Sequence, residues 1–243
     1  LLLRRTPRQH RDRPEQLLAV GRVVGRDVSD DGGVEEVAVT AAAGDDVWVA
    51  DSTPVECARS RETVQRSDLA GWAEYGYCAS HSRFFWGLRL HLVCTLHGLP
   101  VAWALTGAKA DERQVLADLI AGTPALAGRS PRQILLADKN YFGAAFEAEL
   151  GAAGIEVLRP ARKGEPERPG SRFFKPLRQI VESVNDTLKG QLDLERHGGR
   201  TPAGVCARVA QRGLRAHRRH LAQRRPRPHP PLTARLRPLT PWN

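Results

Sequence analysis

The chain of 243 residues contains no methionine, not even at position 1, and aromatic residues make up only 6% of it. From the missing start residue we expect residues 1–44 to be a truncated and partly disordered N-terminal segment. No run of about 18 apolar residues occurs, which argues against a membrane-spanning helix. The early charges Arg4 and Arg5, with no small-residue cleavage pattern after them, also argue against a signal peptide.

Cysteine is scarce, and its spacing excludes the usual metal and disulfide patterns. The four cysteines do not form a C-x-x-C pair, and no His/Cys spacing resembles a zinc site: Cys57, Cys78, Cys94 and Cys206. We therefore expect small buried thiols in a reducing compartment such as a bacterial cytoplasm.

Acidic residues and lysine are absent from Arg196 onward, where 12 arginines stand. Subtracting those 12 charges from the net charge of +10 leaves −2 for residues 1–195. Two interpretations of residues 206–243 stay open. They form a basic, disordered tail that binds DNA through its phosphates, or they result from a frameshift near Arg208–Gly213 in a GC-rich gene.

Between these ends the apolar pattern predicts alternating strands and helices, typical of an α/β fold with a mixed sheet. A short helix is expected near Pro14–Val24, and residues 56–82 read as irregular. We predict strands over residues 46–51 and 132–138, which end at Asp51 and Asp138, and a further strand over residues 155–160. A hairpin is predicted over residues 86–96 with 99–108. Three helices are predicted over residues 111–123, 143–154 and 173–194.

Two of the predicted strands end in an aspartate that is followed at once by a turn. Asp51 ends VWVAD and Asp138 ends ILLAD. A carboxylate after a buried apolar run costs desolvation energy, which a bound cation offsets. A structural turn or cap explains one such aspartate, whereas two in one chain favour a functional site.

A third acid lies on the helix predicted over residues 173–194. At about 100° per residue, Arg178, Glu182 and Lys189 fall together on the border of the apolar stripe. An exposed Arg–Glu pair at i,i+4 is the alternative explanation. Three carboxylates suit two Mg²⁺ ions, which stabilise both charged oxygens of a phosphodiester displacement. The neighbouring cations, with Lys139 beside Asp138, are candidate phosphate contacts.

Four stretches at these positions resemble bacterial insertion-sequence transposases of the DDE group, most closely insertion-sequence family 982. They are DSTPVECAR at 51–59, EYGYCASHSRFFWGLRLHLVCTLHGLPVAWALTGAKADER at 74–113, LLADKNYFG at 135–143 and RQIVESVNDTLKG at 178–190. Arg178, Glu182 and Lys189 keep the spacing of the signature Tyr-x2-Arg-x3-Glu-x6-Lys, although Lys175 stands at its tyrosine position.

The resemblance implies a ribonuclease H-like catalytic domain over residues 45–205. Its three acids carry over to Asp51, Asp138 and Glu182 as the catalytic residues, which would hold two Mg²⁺ ions, with Mn²⁺ as a substitute. The implied reaction cleaves DNA at the element ends and joins a 3′-hydroxyl to target DNA, and the implied form is a homo-oligomer. An inactive DNA-binding remnant and a nuclease of the same fold are the alternatives.

Overall fold

The computed structural model describes residues 17–22, 26–28, 34–36, 46–78, 82–96, 99–123, 133–170, 174, 179, 182–183, 186 and 194–223. The described strands are β1 Leu17–Arg22, β2 Arg26–Val28, β3 Val34–Glu36, β4 Val47–Ala58, β5 Glu74–Cys78, β6 Arg83–Thr95, β7 Pro100–Gly107, β8 Gln133–Leu136 and β9 Ile155–Leu158. The described helices are α1 Arg61–Arg66, α2 Glu112–Ala121, α3 Ala144–Ala152 and α4 Pro202–Gln223, with a 3-10 turn at Leu194–Arg196.

One mixed sheet organises the molecule, in the order β1-β7-β6-β4-β8-β9, and β5 pairs with β6 beside this path. Strands β1, β7, β6 and β4 pair antiparallel with one another in this order, and β4, β8 and β9 pair parallel with one another. Among the five strands β7-β6-β4-β8-β9, the central strand β4 comes first in the sequence. On one side β4 pairs antiparallel with β6 and β6 pairs antiparallel with β7, and on the other side β4 pairs parallel with β8 and β8 pairs parallel with β9. This is the ribonuclease H-like arrangement, and the predicted mixed α/β fold is confirmed.

The two faces of the sheet bury different residues because side chains alternate along a strand. On one face Trp48 and Ala50 pack with residues of α2 and α3. On the other face Val47 and Val49 pack with Leu136, and Phe174 packs against that group. The central strand β4 is therefore covered on both sides, which explains its apolar run.

Helix α2 begins where its sequence predicts. The side chain of Asp111 accepts a hydrogen bond from the backbone N–H of Arg113, and Glu112 lies in the first turn. Both acids therefore face the positive end of the helix dipole, as the sequence indicated. The buried side of α2 is made by Val115, Leu116, Ala117, Leu119 and Ile120.

The helix expected near Pro14–Val24 is wrong, because Leu17–Arg22 forms the strand β1 and pairs antiparallel with β7. Part of the segment expected to be partly disordered thus extends the main sheet. Residues 56–82 are also more regular than expected, since they hold the end of β4, helix α1 and strand β5. The two strands depend on pairing with β6, which local periodicity does not report, whereas α1 begins at a local cap in which the Ser60 side chain accepts a hydrogen bond from the backbone N–H of Thr63.

Residues 206–223 are helical, so the disorder expected from residue 206 onward does not begin there. Val205, Cys206 and Val209 are buried against strands of the main sheet. The start of the expected tail therefore belongs to the core, and residues 224–243 lie outside the described part of the chain. The proposed frameshift concerns the gene and stays a prediction.

All four cysteines are free thiols, and three of them are buried. Within the described ranges, no helix is long and apolar enough to cross a membrane.

Candidate active site

Asp51 lies within strand β4, and Asp138 lies two residues beyond the end of the parallel strand β8. Strand β4 pairs with β8 through Val47 with Ile134 and Val49 with Leu136. Continuing this register by two residues sets Asp51 beside Asp138, and neighbouring strands lie about 4.8 Å apart. The register therefore places the two aspartates that the sequence singled out side by side at one edge of the sheet.

Asp51 faces the side of the sheet on which α4 packs. It is paired with Leu92 of β6, and directly opposed residues of an antiparallel pair share a face. Leu92 lies in the buried group that contains Val205 and Val209 of α4. On the same face burial raises the pKa of the Cys94 thiol, and the negative charge of Asp51 raises it further.

Asp138 is exposed and is held by the turn that follows β8. Its two carboxylate oxygens accept hydrogen bonds from Asn140, from the backbone N–H at 2.6 Å and from the side-chain Nδ2 at 3.1 Å. The backbone N–H of Tyr141 donates to the carbonyl of Asp138 at 3.2 Å. An Asx turn of this kind fixes the carboxylate while leaving lone pairs on both oxygens.

Tyr141 follows Asp138 by three residues and is buried among the residues of α2 and α3 that cover one face of the sheet. Burial is the main cause that raises the pKa of its phenol well above the ordinary value, and the charges of Glu112, Asp51 and Asp138 raise it further. The phenol therefore stays protonated and does not act as a nucleophile.

Glu112 belongs to a polar cluster that the sequence did not reveal. Its Oε1 accepts a hydrogen bond from Ser52 Oγ at 2.5 Å and forms an ion pair with Arg89 Nη1. The same Arg89 Nη1 also donates a hydrogen bond to Ser52 Oγ at 3.2 Å. The cluster ties α2 and β6 to the residue next to Asp51. The three side chains come from β4, β6 and α2, so only the tertiary structure brings them together, and no local sequence motif predicts the cluster.

The loop after Asp138 is also held by α2. Arg113 Nη1 donates to the carbonyl of Phe142 at 3.2 Å, and its guanidinium lies 5.0 Å from the centre of that ring. Arg162 lies over the same ring at 3.6 Å. Arg113, in the first turn of α2, and Arg162 thereby hold the loop after Asp138 in place.

The remaining predicted site residues are distributed as follows. Glu182 is helical and exposed, and Lys139 is exposed beside Asp138. Arg178 and Lys189 lie outside the described residues. In the described part of the chain, no three His, Cys, Asp or Glu residues lie together as metal ligands, so Glu182 is not gathered with the two aspartates.

His91 is a buried residue of strand β6. Burial lowers its pKa to about 3, and its Nε2 lies 3.0 Å from Thr106 Oγ1. The imidazole is therefore neutral and belongs to the interior of the sheet.

A model of the family described as "Transposase DDE domain" matches residues 42–214, which is well over half of the chain. The chain belongs to the transposase DDE domain family. This domain type cleaves phosphodiester bonds and transfers DNA strands, and the aspartates at 51 and 138 lie within the matched region. No curated protein sequence matches the chain.

Two solved structures resemble this DDE domain at a distance. The catalytic core domain of BIV integrase is 15% identical, with a TM-score of 0.37, covering 69% of this chain and 83% of that one. The simian T-cell lymphotropic virus intasome in complex with PP2A regulatory subunit B56 gamma is 12% identical, with a TM-score of 0.36, covering 67% of this chain and 46% of that one. The assignment of the fold rests on the strand order given above.

Proposed function

We propose that this chain is the transposase of a bacterial insertion sequence similar to insertion-sequence family 982. It cleaves DNA at the element ends and joins the 3′-hydroxyl to target DNA, in the cytoplasm and on nucleoid DNA. The observation that carries the proposal is the parallel register of β4 and β8, whose extension by two residues sets Asp51 beside Asp138 within a transposase DDE domain.

The two aspartates fit a site for hard divalent cations. Mg²⁺ and Mn²⁺ prefer carboxylate oxygens, and both side chains reach the surface at the same sheet edge. When bound, two such ions stabilise charge on the attacking and leaving oxygens of phosphodiester cleavage. We propose Glu182 as the third ligand on the strength of the family spacing, and its exposed position leaves its carboxylate accessible.

The chain's own groups then have separate tasks. Asn140 holds the carboxylate of Asp138 in one orientation through two hydrogen bonds. Lys139 is exposed next to it and can contact a phosphate, a role that we also propose for Arg178 and Lys189. Tyr141 is buried with α2 and α3 and anchors the turn that carries Asp138 to the core.

A nicking assay on supercoiled plasmid carrying element ends, with Mg²⁺ or Mn²⁺, tests the site. Asp51→Asn, Asp138→Asn and Glu182→Gln should each lower the nicking rate by roughly 10²–10³-fold, as expected for losing several kcal/mol of charge stabilisation. Glu149→Gln, an exposed acid on α3, is the matched control and should nick like the wild type. Equal nicking by wild type and Asp138→Asn would contradict the assignment.

A second measurement does not depend on activity. Addition of Mn²⁺ should raise the melting temperature of the wild type and of Glu149→Gln, because a ligand that binds only the folded state stabilises it. Asp138→Asn should lose most of this rise. A wild type that binds element ends but never nicks them is the inactive remnant, and one that nicks without joining ends to target is a nuclease of the same fold.

A further inference from the structure

Helix α4 and the turn before it present a cluster of arginines. We define the α4 arginine face as Arg196, Arg208, Arg212 and Arg215; three of these side chains are exposed and Arg212 is half-buried. No acidic residue occurs anywhere from Arg196 to the end of the chain. The sequence from Arg196 onward is therefore basic throughout.

Helical spacing sets these arginines in one stripe. Arg208, Arg212 and Arg215 stand at i, i+4 and i+7, which share one side of a helix. At 1.5 Å per residue the stripe from Arg208 to Arg215 is about 10 Å long, close to three base-pair steps of duplex DNA. Arg212 stands at i+7 from Val205 and i+3 from Val209, so the stripe borders the buried side of α4, and Arg208 and Arg215 lie on its exposed flank.

Hydrogen bonds order the face and draw the preceding turn into it. Arg212 donates from Nη1 to the carbonyl of Arg208 at 3.2 Å and from Nη2 to the carbonyl of Arg196 at 3.3 Å. Arg196 is therefore held beside the helix although it lies outside it. An ordered set of guanidinium groups loses less conformational entropy when it binds a ligand.

The face is anchored to the strand that carries Asp51. Leu194 is fully buried in the core, and His197 Nε2 lies 3.1 Å from the carbonyl of Glu56 on β4. Glu56 follows Asp51 by five residues, or about 17 Å along an extended strand. That length corresponds to about five base pairs at 3.4 Å each.

The face and the aspartates also share one side of the sheet. Asp51 is paired with Leu92, and Leu92 packs in the same buried group as Val205, Cys206 and Val209. A duplex that enters the candidate active site on this side can thus extend toward α4. Three of the four arginines lie within the residues matched by the transposase DDE domain model.

We propose that the α4 arginine face binds the phosphate backbone of duplex DNA and holds the helix a few base pairs away from the candidate active site. Arginine forks match phosphate oxygens geometrically, and a charge contact of this kind does not read sequence. The identity of the polyanion as DNA rests on the proposed function. The binding itself is separable from cleavage because it requires neither metal nor catalytic acids.

The test is fluorescence anisotropy of the full chain with a labelled 30-bp duplex in EDTA, from 50 to 200 mM NaCl. The main variant combines Arg196→Gln, Arg208→Gln and Arg215→Gln, and keeps Arg212 because it bridges two backbone carbonyls. The matched control combines Arg61→Gln, Arg66→Gln and Lys163→Gln, three exposed cations elsewhere. Circular dichroism checks the helix content of each protein.

We expect the main variant to bind at least tenfold more weakly at 100 mM NaCl. The slope of log affinity against log salt should flatten by roughly 2–3, since each lost phosphate contact removes about 0.9. The control should change the slope by less than 1. The single variant Arg215→Gln should flatten the slope by about 0.9. It replaces the triple variant in the test if the triple variant loses helix content.

Other outcomes overturn the inference. Equal slopes for the main variant and the control would show that only net charge matters. Loss of binding to a structured RNA with unchanged binding to the DNA duplex would identify an RNA contact instead. Because the binding assay contains EDTA and involves no cleavage, failure of the proposed cleavage and failure of this contact are distinguishable.

Discussion

The pair formed by Arg89 and Glu112 yields the most specific prediction of stability. The two side chains are only 16% and 22% exposed, and Ser52 completes their cluster. Glu112→Gln removes the negative charge and leaves the Arg89 guanidinium without a charged partner at that position. The Nε of Arg89 already lacks a hydrogen-bond partner. The perturbation therefore tests a half-buried ion pair beside the candidate active site.

The magnitude follows from the burial of the pair. Breaking a fully buried ion pair by removing one partner costs about 3–5 kcal/mol, and partial exposure reduces this to roughly 2–3 kcal/mol. For a protein of this size, 1 kcal/mol shifts the melting temperature by about 2–4 °C. We therefore expect Glu112→Gln to melt roughly 5–10 °C below the wild type, measured by differential scanning calorimetry.

A double-mutant cycle separates the pair from other effects of the substitution. Arg89→Met should destabilise the protein to a similar degree, and the double variant should be less destabilised than the sum of the two by at least about 1 kcal/mol. Urea unfolding of the four proteins gives these free energies. Purely additive effects, or a cost below about 0.5 kcal/mol for Glu112→Gln, would refute the reasoning.

Three further predictions concern the interior of the fold. His91 has a folded pKa of about 3, below its unfolded value of 6.5, so its contribution is complete above pH 6.5 and is lost as the pH falls toward 3. Urea unfolding at pH 7 and pH 5 should show a loss of about 2 kcal/mol that largely disappears in His91→Gln; an unchanged pH dependence would contradict this. Gly87→Ala would place a Cβ 2.2 Å from the carbonyl oxygen of Val55 and should cost at least about 2–3 kcal/mol or prevent folding, whereas Gly164→Ala, with open space but a φ of +91°, should cost about 1–2 kcal/mol. Similar melting temperatures for these two glycine variants would argue against the β4–β6 register. Arg159→Met removes a buried guanidinium bonded to Glu147 at 2.9 Å and Glu165 at 2.7 Å, and should lower the free energy of unfolding by about 2 kcal/mol because both carboxylates are partly exposed; a neutral result in urea would show that water replaces the arginine at no cost.

The sequence by itself determined the elements whose pattern is local. The apolar runs before Asp51 and Asp138 predicted two buried strands, and both strands are present. Their predicted ends are wrong, because β4 continues past Asp51 to Ala58 through its pairing with β6, and β8 ends at Leu136, two residues before Asp138. The apolar spacing of α2 and the capping residue Asp111 predicted that helix from its first turn. These features were readable because burial, alternation and capping leave a trace within a few neighbouring residues.

Other features were decided only by tertiary structure. Leu17–Arg22 becomes a strand because the edge of β7 supplies its hydrogen bonds, although its apolar run suggested a short helix. Residues 206–223 form an ordered helix because Val209 and its neighbours have a core to pack against, whereas their arginine content suggested disorder. In both places long-range contacts outweigh the local composition.

The candidate site divides in the same way. The sequence supplied Asp51 and Asp138, but only the parallel pairing of β4 with β8 places them side by side. The sequence assigned Glu112 to the start of a helix and gave no sign of its ion pair with Arg89, which lies 23 residues away. Pairing between distant strands decides such contacts, because register is a property of the assembled sheet and not of any one segment.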